Sequence, residues 1–179
     1  YINVPGAVAI DTSKGYAYVA GWRYLAIIDV GTDPSSPSLV GAYCSETYIN
    51  GVWSIAIDTS KGYAYVPGAY SDSLAIIDVG TNSSSPSLVG SYISETYIDS
   101  PTAVAIDTSK GYAYVPGRDS DSLAIIDVGT DPSSPSLVGS YISETYIDSP
   151  RAVAIDTSKG YAYVPGYVSD SLAIIDIIH

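Results

Sequence analysis

TAVAIDTSKGYAYVPGRDSDSLAIIDVGTDPSSPSLVGSYI, residues Thr102–Ile142, decides the fold. It holds four short apolar runs, TAVAID, GYAYVPG, SLAIIDVG and PSLVGSYI, rich in Val, Ile and Tyr. Those residue types suit a pleated strand, and none of the runs carries a helical period. Asp-Thr-Ser-Lys-Gly joins the first two runs, Arg-Asp-Ser-Asp-Ser the next two, and Gly-Thr-Asp-Pro-Ser-Ser the last two. Each is turn chemistry. Four strands with connections this tight read as an antiparallel meander, with no room for a helix.

The unit recurs along the whole chain. Its first aspartate stands at Asp11, Asp58, Asp107 and Asp156, giving spacings of 47, 49 and 49 residues. The first spacing is short because GWRYL (Gly21–Leu25) has two residues fewer than GAYSDSL (Gly68–Leu74). LAIID is continuously apolar, so both faces of that strand should be covered. In YAYV the tyrosines take one face and Ala and Val the other. If identical sheets stack, the large face of one unit meets the small face of the next. A row of stacked four-stranded sheets is the plan of a β-propeller, whose blades run about 40–50 residues. A solenoid is the alternative, but its repeats are usually shorter and its strands parallel.

The expected fold class is therefore all-β, a β-propeller of four repeats of about 49 residues with four-stranded antiparallel blades. It is read as one domain over 1–179, with blades at 1–47, 48–96, 97–145 and 146–179. Only three PSLVGSY-type outer strands are present, and YINVPG at the start matches the linker TYINGVW rather than an outer strand. The last blade is expected to lack its outer strand or to take one from another chain. A three-stranded edge invites pairing.

LAIIDVGTDPSSPSLVGSY (Leu123–Tyr141) resembles the LVIVD repeat, an apolar run ending in Asp, a Ser/Asn-Pro turn and an LVGSY strand. GYAYVPG similarly resembles the YAYVAD strand of LVIVD and YVTN-like propellers. The resemblance covers essentially the whole chain and implies a β-propeller. It also implies a secreted or cell-surface protein, since proteins with such repeats are mostly extracytoplasmic and of unknown activity. The family usually forms rings of more than four units.

Composition narrows the function classes. Seven basic residues against nineteen acidic give a net charge of −12. An acidic protein of this kind repels phosphate backbones and anionic lipid, so no nucleic-acid partner is expected. The longest apolar stretch near the end, SLAIIDIIH, is broken by Asp176. Nothing reaches the roughly 20 residues that span a bilayer, and no transmembrane segment is expected. The single cysteine, Cys44, excludes an internal disulfide; standing where other copies have Ile93 and Ile142, it reads as a small apolar residue.

Catalysis finds little in the sequence. His179 is the one histidine, so no Ser-His-Asp triad, Cys-His pair or His-rich metal site can be assembled. There is no P-loop and no GxGxxG. The aspartates of DTSKG and of LAIID-Val/Ile read as turn-fixing carboxylates that accept backbone N–H bonds. No cofactor is expected. The SDS loops offer calcium candidates at Asp72, Asp121 and Asp170, without EF-hand spacing. Asn82-Ser83-Ser84 fits the N-glycosylation pattern.

A meander sends its connections alternately to two ends. One end carries DTSKG and the third-to-fourth turns, nearly the same in every unit, with all four lysines (Lys14, Lys61, Lys110, Lys159). The other end varies: its loops read AGWRY, PGAYSDS, PGRDSDS and PGYVSDS, and its links NVPG, NGVW, DSPT and DSPR. Both tryptophans and all three arginines fall there. Trp22, Arg23, Trp53, Tyr70, Arg118, Asp119, Arg151 and Tyr167 are the candidate binding residues, because Trp, Tyr and Arg are suited to recognition.

The sequence thus points to a non-enzymatic extracellular propeller that binds a protein or glycan partner through its variable-loop face. The alternative is a self-assembling surface-layer or filament subunit, driven by near-identical units and an open edge. A carboxylate-based hydrolase or lyase acting at the propeller mouth comes third.

Overall fold

The computed structural model describes residues 3–177. Tyr1, Ile2, Ile178 and His179 lie outside the described residues, and with them the single histidine. The expected meander forms in every unit. Blade 1 holds β1 (Pro5–Asp11), β2 (Tyr16–Gly21), β3 (Tyr24–Asp29) and β4 (Ser38–Cys44). Blade 2 holds β5 (Ala56–Asp58), β6 (Tyr63–Gly68), β7 (Ser73–Asp78) and β8 (Ser87–Ile93). Blade 3 holds β9 (Ala105–Asp107), β10 (Tyr112–Gly117), β11 (Ser122–Asp127) and β12 (Ser136–Ile142). Blade 4 has three strands, β13 (Ala154–Asp156), β14 (Tyr161–Gly166) and β15 (Ser171–Asp176). Each sheet is antiparallel with its strands in chain order. Four stacked antiparallel sheets, each one repeat, make this chain a β-propeller.

The core lies between sheets, and the pleat explains its composition. Tyr18 pairs with Ile27 and Ala20 with Leu25, so these side chains share the forward face of blade 1. They pack on Ala64, Val66, Ala75 and Ile77, the backward face of blade 2. Tyr65, Leu74 and Ile76 likewise meet Ala113, Val115, Ala124 and Ile126. Tyr114, Leu123 and Ile125 meet Ala162 and Val164 in the third junction. Bulky tyrosines thus sit over alanines at every junction, as the two faces of YAYV require. Burial pushes the Tyr65 and Tyr114 hydroxyls up to about 12, helped by the nearby Asp58 and Asp107 charges, so both rings stay neutral.

Three features depart from the sequence reading. The inner strands of blades 2 to 4 are three residues long, against seven in blade 1. In blade 3 the Val104 N–H donates to Ser54 Oγ at 3.2 Å instead of joining the ladder. Cys44, expected to pack as a small apolar residue, is exposed, as are Ile93 and Ile142 at the same position. LAIID is buried on both faces in β7 and β11 but not in β15, where Leu172 and Ile174 are open to solvent.

The aspartates tie off the turns of the conserved end. Asp11 Oδ1 accepts from the Ser13 N–H at 2.9 Å, the Ser13 hydroxyl at 2.6 Å and the Lys14 N–H at 3.2 Å. The same three bonds recur at Asp58, Asp107 and Asp156. Asp29 and Asp127 take the N–H groups of the glycine and threonine that follow them. Hydrogen bonds from the Ser13 and Ser158 hydroxyls hold Asp11 and Asp156 below the ordinary carboxylate range. The Thr32 and Thr130 N–H groups do the same for Asp29 and Asp127.

A carboxylate whose folded pKa is depressed stabilises the fold above its unfolded value and loses that contribution as pH falls through the folded value. The thermal midpoint should therefore be flat above about pH 5 and fall steadily below about pH 4. Asp11→Asn should flatten that fall, and calorimetry across the acid range reads it. A midpoint that holds steady down to the lowest pH would refute the assignment.

Candidate functional site

The variable end is built by the β2–β3, β6–β7, β10–β11 and β14–β15 loops together with the links that enter each blade. The SDS sequence holds these parts together. Asp72 sits in the left-handed region at φ 45, which a short acidic side chain tolerates. Its Oδ1 accepts the Ser100 N–H of the next link at 2.9 Å, while Ser73 Oγ donates back to the Tyr48 carbonyl at 2.7 Å. Asp121 repeats this with the Ser149 N–H at 2.8 Å and Ser122 with the Tyr97 carbonyl at 2.6 Å. The calcium candidates Asp72 and Asp121 are thus clasps between blades. Among the described residues no three carboxylate, Cys or His side chains are grouped to hold a metal ion.

Over these clasps the predicted aromatic and basic residues gather around a cavity of about 400 Å³. Its lining is Trp53, Ala69, Tyr70, Thr102, Arg118 and Arg151, from blades 2, 3 and 4. Trp22 stands behind Tyr70 in an edge-to-face contact, ring centroids 5.6 Å apart at 66°. Its carbonyl accepts the Gly51 N–H at 2.6 Å, fixing the link that carries Trp53. Gly51, at φ 75, leaves room for the Tyr70 ring: a Cβ there would lie 2.6 Å from Tyr70 Cδ2. Trp53 and Tyr70 are both exposed, as flat platforms in water.

The two arginines differ in commitment. Arg118 Nε and Nη2 donate to the two Asp119 carboxylate oxygens, each at 2.8 Å, and this pairing holds Asp119 below the ordinary carboxylate range. The Arg151 guanidinium lies 3.9 Å over the Tyr167 ring. Among the described residues no hydrogen bond or ion pair engages it. Stacking orients it while leaving its in-plane N–H donors for a ligand. Asp99 lies nearby, its carboxyl pushed up by burial and by the Asp72 and Asp119 charges.

Of the eight predicted residues, Trp53, Tyr70, Arg118 and Arg151 line the cavity, and Trp22, Asp119 and Tyr167 support them from behind. Arg23 stands apart, paired with Glu46 beside blade 1. Ala69 and Thr102 were not singled out by sequence, being small residues without a recognition signature. Asp170 carries the third SDS carboxylate at φ 48. Asn82 is exposed in the β7–β8 turn, its Oδ1 accepting from the Ser84 N–H at 3.2 Å and hydroxyl at 2.7 Å.

The family model of the LVIVD repeat matches residues 7–45, 52–94 and 102–143, more than half the chain. The chain belongs to the LVIVD-repeat family. No curated protein matches it. Among solved structures, a Kuenenia stuttgartiensis hydrazine synthase is 18% identical with a TM-score of 0.74, over 97% of this chain and 46% of that one. The periplasmic gluconolactonase of Pseudomonas aeruginosa is 12% identical with a TM-score of 0.78, over 95% and 49%. The β-propeller domain of Cps50 from Myceliophteria thermophila is 13% identical with a TM-score of 0.74, over 95% and 52%. The chain spans about half the length of these structures, and the likeness is one of fold. No helix among the described residues is long and apolar enough to cross a membrane.

Proposed function

We propose that this propeller is a non-catalytic, extracytoplasmic binding module. Its cavity takes a partner that presents a carboxylate next to a ring or apolar surface, on a glycan or a protein. One observation carries the reading: Arg151, stacked on Tyr167 and without a hydrogen bond or ion pair among the described residues, shares a cavity of about 400 Å³ with the exposed rings of Trp53 and Tyr70, its charge reaching Asp119 behind them. Planar guanidinium pairs with carboxylate in two parallel bonds, and flat rings bury sugar or side-chain faces. The cavity lining includes no carboxylate, histidine or cysteine, which favours binding over turnover. The enzymes among the structural neighbours share the fold alone.

The test is a screen of acidic and neutral glycans beside acidic and neutral peptides, followed by titration calorimetry on the hits. Carboxylate-bearing ligands are expected to bind, and their neutral counterparts to fail. Arg151→Ala and Trp53→Ala should each weaken binding at least about tenfold, equivalent to about 1.4 kcal/mol. A ligand held equally well by both variants sinks the site.

A further inference from the structure

The β10–β11 loop carries an ion pair that the matching loops of blades 2 and 4 do without. Its tip reads Gly117-Arg118-Asp119-Ser120, where blade 2 has Gly68-Ala69-Tyr70-Ser71 and blade 4 has Gly166-Tyr167-Val168-Ser169. The register is the same in all three, Gly117 pairing with Ser122 as Gly68 does with Ser73 and Gly166 with Ser171. The turn therefore needs no carboxylate at the position of Asp119, since Tyr70 and Val168 serve there. Asp72 and Asp121 recur as clasps of the SDS loops, whereas Asp119 occurs once.

Asp119 is committed to Arg118. Its two oxygens accept from the guanidinium at 2.8 Å each, and the Ser100 side chain adds a further hydrogen bond. The backbone holds both residues in place: the Asp119 N–H donates to the Asp99 carbonyl at 3.1 Å and the Arg118 N–H to the Ser100 carbonyl at 3.4 Å. A ligand carboxylate would have to displace a partner built into the same loop, present at a far higher effective concentration than a solute. Among the described residues the cations of this end are Arg23, Arg118 and Arg151. Arg23 is paired with Glu46, and the four lysines stand in the DTSKG turns of the other end. Arg151 is thus left to receive an anion. Behind it the carboxyl of Asp99 lies within reach of the charges of Asp72, Asp119 and Glu95. A second negative group on a ligand would meet this cluster with no cation to pair with, and like charges brought together at an interface cost affinity.

We infer that Asp119 determines specificity: by occupying Arg118 it leaves the cavity one receptive cation, so the site takes a single carboxylate on a neutral or cationic body and rejects di- and polyanions. The inference deepens the carboxylate-binding reading given above and rests on it. Discrimination here comes from what the site withholds as much as from what it offers. The same pairing turns the Asp119 charge toward Arg118, so that Arg151 keeps its in-plane donors for the ligand.

Titration calorimetry at neutral pH uses probes that share a phenyl ring: phenylacetate with one carboxylate, phenylsuccinate with two, and neutral phenylacetamide. The unaltered chain is expected to bind phenylacetate at least about tenfold more tightly than phenylsuccinate, and phenylacetamide not measurably. Asp119→Asn keeps the size of the side chain and frees Arg118, and should reverse the order, with phenylsuccinate gaining at least about tenfold. Arg118→Gln added to Asp119→Asn should remove that gain. The Asp119 side chain is half-exposed, so the circular dichroism spectrum and thermal midpoint are expected to hold. In the unaltered protein, raising sodium chloride to about 0.5 M should narrow the gap between the two acids, because screening weakens the repulsion. Phenylsuccinate held by the unaltered chain as tightly as phenylacetate overturns the inference and leaves the cavity reading standing. So does an Asp119→Asn chain that keeps the original order, or a gap that salt does not narrow, which would mean that shape rejects the second group. Failure of both acids to bind either chain removes the cavity reading, and this inference with it.

Discussion

Leu123→Ala should lower the unfolding free energy by about 2–5 kcal/mol, while Leu172→Ala should change it by less than about 0.5 kcal/mol in the single chain. The two leucines hold the same place in SLAIID of adjacent blades. Leu123 is fully buried between blades 3 and 4, packed in one cluster with Tyr114 and Val164. Deleting its side chain leaves a hole between two rigid sheets that cannot collapse onto each other. Leu172 faces water, and shortening it removes little. Urea denaturation of the two variants beside the unaltered chain measures both. Equal losses at the two positions would mean that blade 4 is covered within the chain itself.

Gly111→Ala is expected to cost on the order of 2–5 kcal/mol, from left-handed strain together with overpacking. Gly111 lies at φ 75 in the DTSKG turn, and a Cβ there would sit 2.7 Å from the Gly129 Cα. Both contacting groups are backbone, so no flexible side chain can swing aside. The contact joins the two turns of one blade, and it recurs at Gly15 with Gly31 and at Gly62 with Gly80. Gly51→Ala differs in kind, because its obstacle is the Tyr70 ring, which can rotate away. A fall in the denaturation midpoint for Gly111→Ala with no change in slope is the expected signature; a neutral result would mean the two turns are not in contact.

The meander was legible because a period of about 49 residues repeats every turn sequence and every strand. The junction chemistry was legible too: YAYV splits its large and small side chains between faces, and tyrosine over alanine is what packs. The cavity was partly legible. Trp53, Tyr70, Arg118 and Arg151 stood out because they break the repeat, whereas Thr102 and Ala69 are too ordinary to flag. Gly51 carried a signal that reading by residue type misses, since its role is to leave space. The SDS aspartates were read as loops with a calcium option. Their use as clasps depends on a partner N–H some 28 residues later, which local sequence cannot display.

The three-stranded blade has a bearing on the ligand cavity. Among the described residues blade 4 forms three strands and packs on blade 3 alone, so in this 179-residue chain it should breathe ahead of blades 2 and 3, which have a neighbour on both sides. It is also the blade that carries Arg151 and Tyr167. Whatever steadies it sharpens the grip on a carboxylate, and whatever fills the cavity steadies it in return. Occupancy of the mouth and order at the end of the row are therefore two readings of one equilibrium.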